Sequence, residues 1–483
     1  MQRRQFIKQA GMGLGALCLS NILPCSGKPK SRPNILFLFA DDQCHEALSA
    51  FGSEAQTPNL DRLAKRGVSF TNAYNQGAWN GAVCIASRTM LNTGRYLWHA
   101  EGLDQSLSRE KEAGRIWSQY LQQSGYHTYF TGKWHIKIDP PEIFQTVKHV
   151  RPGMPKDHYD WTYSENIPEP GYDRPVEGEK DLWSPSDPKW GGFWEGGKHW
   201  SEVLGNDSVE YLDKASQEDK PFFMYLAFNA PHDPRQSPQE YVDRYPTDDI
   251  DIPESFQPLY PYRDKIGCGY QLRDARLAPF PRTKHAVKVH RQEYYAIISH
   301  MDYQVGRILD ALEKTGKADN TWIFFTADHG LAVGQHGLFG KQNMFEHSVK
   351  APLIVNGPSV PRGKRIETPV YIQDIMPTTL ELAGRRIPDH VQFKSLLPLI
   401  EGSHAEHYDA IYGAYLDVQR MIRMGDFKLI VYPNVPVTLL FNLKNDPDEV
   451  NNLAEQEKYA PIIAKLKARL KALQTEVGDS LEL

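Results

Sequence analysis

Three apolar runs in this chain end in side chains that can hold a metal or move a proton. Asn34 to Ala40 leads into Asp41-Asp42, Phe222 to Phe228 into Pro231-His232-Asp233, and Trp322 to Ala327 into Asp328-His329. Carboxylates are hard oxygen donors that suit Ca2+ or Mg2+. Brought together without a cation, they repel one another. A lone aspartate after a strand is more often a helix cap. Asp41, Asp42 and Asp328 share one kind of position, however, and so point to one site. His329 would add a nitrogen donor, which is unusual for Ca2+. Cys84 lies four residues before Arg88; as a thiolate it would be a nucleophile in its own right.

The elements that must bring these residues together are legible as patterns. Uninterrupted apolar runs suit strands buried on both faces, as in a parallel sheet; Pro352 to Val355 is a fourth such run. Helical patterns lie between them at Asp61 to Arg66, Gly114 to Ser124 and His290 to Lys314. Alternating strands and helices predict an α/β fold with a large, mainly parallel sheet flanked by helices. Ligands of such sheets bind at the carboxyl ends of the strands, where the aspartates and His232 fall. Residues 139–200 and 245–284 are rich in turn formers and read as long ordered insertions that shape a binding site. From about residue 400 the pattern changes. Short strands near Ile411, Lys428 to Tyr432 and Leu439 to Phe441 precede a charged helix from Tyr459 to Gln474, a small α+β domain. The expected organisation is therefore a leader at 1–25, a catalytic domain at 31–400 and a small C-terminal domain at 401–483.

Cys84-Ile85-Ala86-Ser87-Arg88, followed by Thr93-Gly94-Arg95, resembles the signature of the type I sulfatases, Cys-x-Pro/Ala-x-Arg with a downstream Thr-Gly-Arg. A five-residue pattern alone is weak. The resemblance continues in the family's order across nearly the whole chain. It takes in Asp41-Asp42, Thr57-Pro58-Asn59-Leu60-Asp61, Gly132-Lys133-Trp134-His135, Pro231-His232, Asp328-His329-Gly330, His336-Gly337, Gly340-Lys341, Asn442-Leu443 and Asp446-Pro447-Asp448-Glu449. It implies an alkaline-phosphatase-like fold and a hydrolase of sulfate esters. It implies that Cys84 is oxidised to formylglycine by a formylglycine-generating enzyme. Asp41, Asp42, Asp328, His329 and residue 84 would hold the metal, Ca2+ or alternatively Mg2+. Lys133 and Lys341 would bind the sulfate, Arg88 would orient the nucleophile's turn, His135 would help expel sulfate, and His232 would protonate the leaving oxygen. The chemistry is coherent. A hydrated aldehyde offers one hydroxyl to attack sulfur and a second to expel the sulfate, which splits one difficult hydrolysis into two steps. Within the same superfamily, phosphate and phosphonate ester hydrolases are the alternative, and a non-catalytic binder of sulfated glycans is a third reading.

The rest of the sequence bounds the setting. The 483 residues carry a net charge of -5, with 40% hydrophobic and 11% aromatic residues. This suits a folded protein with a sizeable core and excludes the basic stripe of a nucleic-acid binder. Arg3-Arg4 with Phe6 and Lys8, followed by the short apolar run Gly11 to Pro24, reads as a twin-arginine-like export signal, with no transmembrane span. The protein is accordingly expected outside the cytoplasm, periplasmic or extracellular, with Cys25 as a candidate lipid-anchor position. Export, the insertions and tryptophans 79, 98, 161, 183, 190, 194 and 200 suggest a sulfated carbohydrate substrate, an algal polysaccharide or a glycosaminoglycan, because indole faces stack on sugar rings. Trp79, Trp98 and His99, which flank Cys84 in sequence, and His336 are the expected sugar-reading residues.

Overall fold

Asn34 to Ala40 has almost nothing to offer water, and all seven residues are buried as strand β1 (Asn34–Ala40). It lies inside a sheet completed by β2 (Val68–Tyr74), β3 (His127–Lys133), β4 (Thr146–Arg151), β5 (Phe222–Ala227), β6 (Thr321–Ala327), β7 (Lys350–Asn356), β8 (Lys364–Ile366) and β9 (Val370–Tyr371). The computed structural model describes residues 32–155, 171–403 and 407–483. The expected leader, with Cys25, and Trp161 lie outside these.

The sheet order is β8-β2-β7-β6-β1-β5-β3-β4, with β9 also paired to β2. β6, β1, β5, β3 and β4 pair in parallel. β7 pairs antiparallel to both β6 and β2, so it alone runs against the rest. The Pro352 run is therefore the sheet's reversed strand, although its composition matches the parallel ones. The carboxyl ends of β1, β3, β5 and β6 and the start of β7 consequently meet at one edge.

Helices cover the faces. They include α1 (Pro58–Arg66), α2 (Val83–Thr93), α3 (Leu97–Asp104), α4 (Trp200–Ser216) and the 31-residue α5 (Lys284–Lys314). α5 clamps α1: the Asp302 carboxylate accepts the Asn59 and Leu60 backbone N–H groups at 3.1 and 2.8 Å, two of the donors a helix start leaves unpaired. Beneath the sheet an aromatic core forms around Phe37, with Trp117 and Tyr225 rings at 5.1 and 4.8 Å in edge-on contact.

The C-terminal region is a smaller antiparallel sheet, β10 (Ile411–Tyr415), β11 (Gln419–Met424), β12 (Phe427–Tyr432) and β13 (Val437–Asn442), packed on α6 (Ala460–Val477). Its fifth strand comes from far upstream: Gly77–Ala78 pairs with Ala414 and Tyr415 of β10. Gly77 has φ of +95°, and a Cβ there would lie 1.9 Å from the Ala414 carbonyl oxygen. Only glycine permits that approach. No helix among the described residues is long and apolar enough to cross a membrane.

Candidate active site

Each chemistry-bearing residue reaches the shared sheet edge by a local device. Asp41 and Asp42 follow β1 directly, and Asp42 turns back with a φ of +67°. Asp328 and His329 follow β6; the Asp42 N–H donates to Asp328 Oδ1 at 3.1 Å, which ties the two strand ends together. Lys133 ends β3. His135, two residues on, also has a φ of +67°, and its ring lies against Gly153. Such left-handed backbone at non-glycine residues is strained and gathers at functional sites. Cys84 is the second residue of α2, where the helix dipole favours an anion. Arg88, four residues on, shares its face.

These side chains converge. Ligand atoms of Asp41, Asp42, Cys84, Asp328 and His329 all lie within 4.8 Å of one another, and all five residues are buried. Cys84 Sγ lies 3.4 Å from Asp41 Oδ1, 3.8 Å from Asp42 Oδ1, 3.3 Å from His329 Nε2 and 3.4 Å from Lys341 Nζ. His135 lies beside the Cys84 side chain and favours its thiolate. Lys133 pairs with Asp41, and Lys341 donates to Asp42 Oδ2 at 2.8 Å and to His232 Nε2 at 2.9 Å. Arg88 is fully buried; its Nε donates to Asp328 Oδ2 at 3.0 Å and its Nη1 to the Lys133 carbonyl at 2.7 Å.

The electrostatics follow from burial. Burial, and then the neighbouring Asp328 charge, push the Asp41 carboxyl well above the usual range. Burial opposes ionisation of Cys84, but Lys133, Lys341 and His329 outweigh it and hold the thiol well below its ordinary value. Three convergent buried carboxylates are a hard donor set. The residues therefore fit a divalent cation of the Ca2+ or Mg2+ type. His329 Nδ1 faces the Gly330 carbonyl at 2.8 Å, which turns Nε2 toward Asp42 at 3.2 Å. Protonated, it pairs with the carboxylates; neutral, it offers a lone pair to a cation.

A sequence model of the family described as Sulfatase matches residues 33–385, well over half of the chain. The chain belongs to the sulfatase family. A second model, described as N-sulphoglucosamine sulphohydrolase, C-terminal, matches 334–476 of the sulfatase. The protein is thus a sulfuric ester hydrolase of the alkaline-phosphatase-like superfamily. It is 28% identical to an N-acetylglucosamine-6-O-sulfatase of Bacteroides thetaiotaomicron, over 97% of this chain and 90% of that one. Its fold matches a solved structure in complex with its substrate D-glucosamine-2-N,6-O-disulfate, with a TM-score of 0.70, 24% identity and coverage of 93% and 99%. It also matches the phosphonate monoester hydrolase of Agrobacterium radiobacter, with a TM-score of 0.71, 23% identity and coverage of 92% and 96%.

The sulfatase places the expected sugar-reading residues less uniformly. Trp79 is half-buried in the turn between the Gly77–Ala78 strand and α2, close in the chain to Cys84. Trp98 does not face the cluster. Its indole N–H donates to the Tyr412 hydroxyl at 2.8 Å and its ring lies under Arg420, so it fastens the C-terminal sheet. His99 is exposed beside Gln392 and Gly478. His336 is buried with its ring stacked on Phe345 at 3.8 Å. Sequence proximity to Cys84 was a poor guide for Trp98 and His99, because α3 carries the chain away from the cluster. Two supports went unnoticed. The Tyr294 hydroxyl donates to the Asp42 carbonyl at 2.8 Å, and Gln342 holds Asp274 beside Lys341. Tyr294 sits in an ordinary helical pattern, and nothing in its sequence context separates it from a core residue.

Proposed function

We propose that this sulfatase removes sulfate from a sulfated carbohydrate, a glycosaminoglycan or an algal polysaccharide, with residue 84 as formylglycine and Ca2+ as the bound ion. The observation that carries the reading is the meeting of Cys84, three carboxylates and two lysines at the start of α2. The relative named as an N-acetylglucosamine-6-O-sulfatase, matched over nearly the whole chain, supports a carbohydrate substrate. Asp41, Asp42 and Asp328 would hold the cation, with residue 84 and His329 Nε2 beside them.

When present, hydrated formylglycine supplies a hydroxyl nucleophile for sulfur, and the cation supplies positive charge for the sulfate oxygens. The chain does the rest. Lys133 and Lys341 hold the sulfate and spread its growing charge. Arg88 fixes α2 against Asp328 and so aims residue 84. His135 takes a proton from residue 84. His232, whose Nδ1 donates to the Asp233 carbonyl at 2.6 Å, would take a proton at Nε2 from the Lys341 ammonium 2.9 Å away and pass it to the leaving oxygen.

Mass spectrometry of the tryptic peptide Gly67 to Arg88 from the native host tests the nucleophile: formylglycine at 84 is expected, and unmodified cysteine would remove the mechanism. Rates on aryl sulfate against aryl phosphate and phosphonate monoesters test the reaction. Sulfate, with less charge than a phosphate monoester dianion, suits one cation and two lysines. Faster phosphonate hydrolysis would move the protein to the superfamily's other branch. Glycan binding without sulfate release by converted protein would favour the binding reading.

A further inference from the structure

We propose that the pocket beside His232 receives a second oxyanion of the substrate, a carboxylate or a sulfate other than the one hydrolysed, through the guanidinium of Arg235. This deepens the carbohydrate-sulfatase reading and rests on it. The segment that leaves β5 carries His232 to the ester and, three residues later, Arg235 into the pocket. Asp233 joins the two places. It walls the pocket, and its ligand atom lies within 4.8 Å of those of Asp42 and His232.

The arginines here are not equivalent. Arg174 is spent, forked onto Glu293 at 3.0 and 2.7 Å and onto Asp181 at 2.6 Å. Arg273 lies between Asp274 at 2.5 Å and Asp233 at 3.6 Å. Arg235 is 3% exposed, and one face of its guanidinium lies over the Tyr294 ring at 5.5 Å, yet its Nε and Nη2 have no hydrogen-bond partner. Its Nη1 donates to His290 Nδ1 at 3.3 Å. His290 turns Nε2 to the Arg174 and Leu277 carbonyls at 2.8 and 3.0 Å, so that nitrogen carries the hydrogen and Nδ1 is a neutral acceptor. The field of Arg235 reaches Glu293, but that carboxylate is already held by Arg174. A buried charge with two donors left over is costly unless an acceptor arrives.

The pocket has about 10 Å³ of room, enough for one water or one oxyanion oxygen. Trp183, a half-buried wall of the pocket, stacks with Trp190 at 6.1 Å, and its indole would pack on the sugar that bears the group.

Three sulfated disaccharides test this: one with no other acidic group, one with a carboxylate on the neighbouring sugar, and one with a second sulfate there. Titration calorimetry, in a Cys84→Ala background that has no nucleophile, and kcat/KM, in the active enzyme, are measured with the wild-type Arg235, Arg235→Gln and Arg235→Lys. The wild type is expected to favour one doubly acidic ligand by about 10- to 100-fold, the weight of a charged hydrogen bond, and which one it favours names the oxyanion. Arg235→Gln is expected to lose that ratio and Arg235→Lys to keep part of it. Should the glutamine variant fail to fold, the lysine variant carries the same comparison. Equal affinities in the wild type, as a pocket holding only water would give, overturn the proposal; so does a preference that survives in Arg235→Gln. Calorimetry reads the pocket without turnover. A wild type that releases no sulfate even from 4-nitrophenyl sulfate therefore counts against the function, not against the pocket.

Discussion

Arg88 is the side chain on which the buried charges of the site balance. It is fully buried against Asp328 and Asp41, and removing one partner of such a set leaves uncompensated charge. Arg88→Met is expected to cost about 3–5 kcal/mol in urea unfolding. A loss under about 1 kcal/mol would mean the carboxylates find compensation elsewhere. His232 gives a second, kinetic expectation. If its Nε2 protonates the leaving oxygen, His232→Gln lowers kcat by about 10²–10⁴-fold on sugar esters, whose alcohols leave poorly. The loss on 4-nitrophenyl sulfate is much smaller, because that phenolate needs no proton. Equal losses on both would assign His232 to binding. At this scale the sequence was informative where chemistry repeats a residue type at strand ends, as with Asp41, Asp42 and Asp328. It was silent on Arg235 and Tyr294, whose roles depend on which neighbours have already been used.

The elements work as rulers, and their precision rests on close contacts. Gly132 has a φ of +103°, and a Cβ there would lie 1.8 Å from the Ala227 carbonyl oxygen of β5. Gly132→Ala is therefore expected to push β3 from β5, destabilise the fold by about 2 kcal/mol or more and displace Lys133. Circular-dichroism melting and sulfate-release rates on one preparation check both effects. Unchanged melting would show that the sheet edge yields. β1, β5 and β6 were readable from their uninterrupted apolar runs. β2 (VSFTNAY) and β3 (HTYFTGK) were not, because threonine and asparagine in β2 and threonine and lysine in β3 break the apolar pattern. The reversed direction of β7 is a matter of connection, and composition carries no trace of it.

The whole molecule carries a net charge of only -5, while the carboxylate cluster at its sheet edge favours a cation. Binding to the folded state alone stabilises it by mass action, about 2.7 kcal/mol at a hundredfold excess over Kd. Protein stripped with a chelator is expected to melt lower and to recover when Ca2+ returns. No shift with Ca2+ or Mg2+ would remove both ions from the reading. The pairing of Gly77–Ala78 with β10 adds a matter of timing. Cys84 is 1% exposed in the finished fold, beside a strand whose partner is made roughly 340 residues later, about 20–70 s of synthesis at ordinary elongation rates. Any catalyst that oxidises Cys84 must reach it within that interval or hold the chain open beyond it. The chain's own length thus sets a clock, and a host that lets the C-terminal sheet close first would make stable protein that stays inactive.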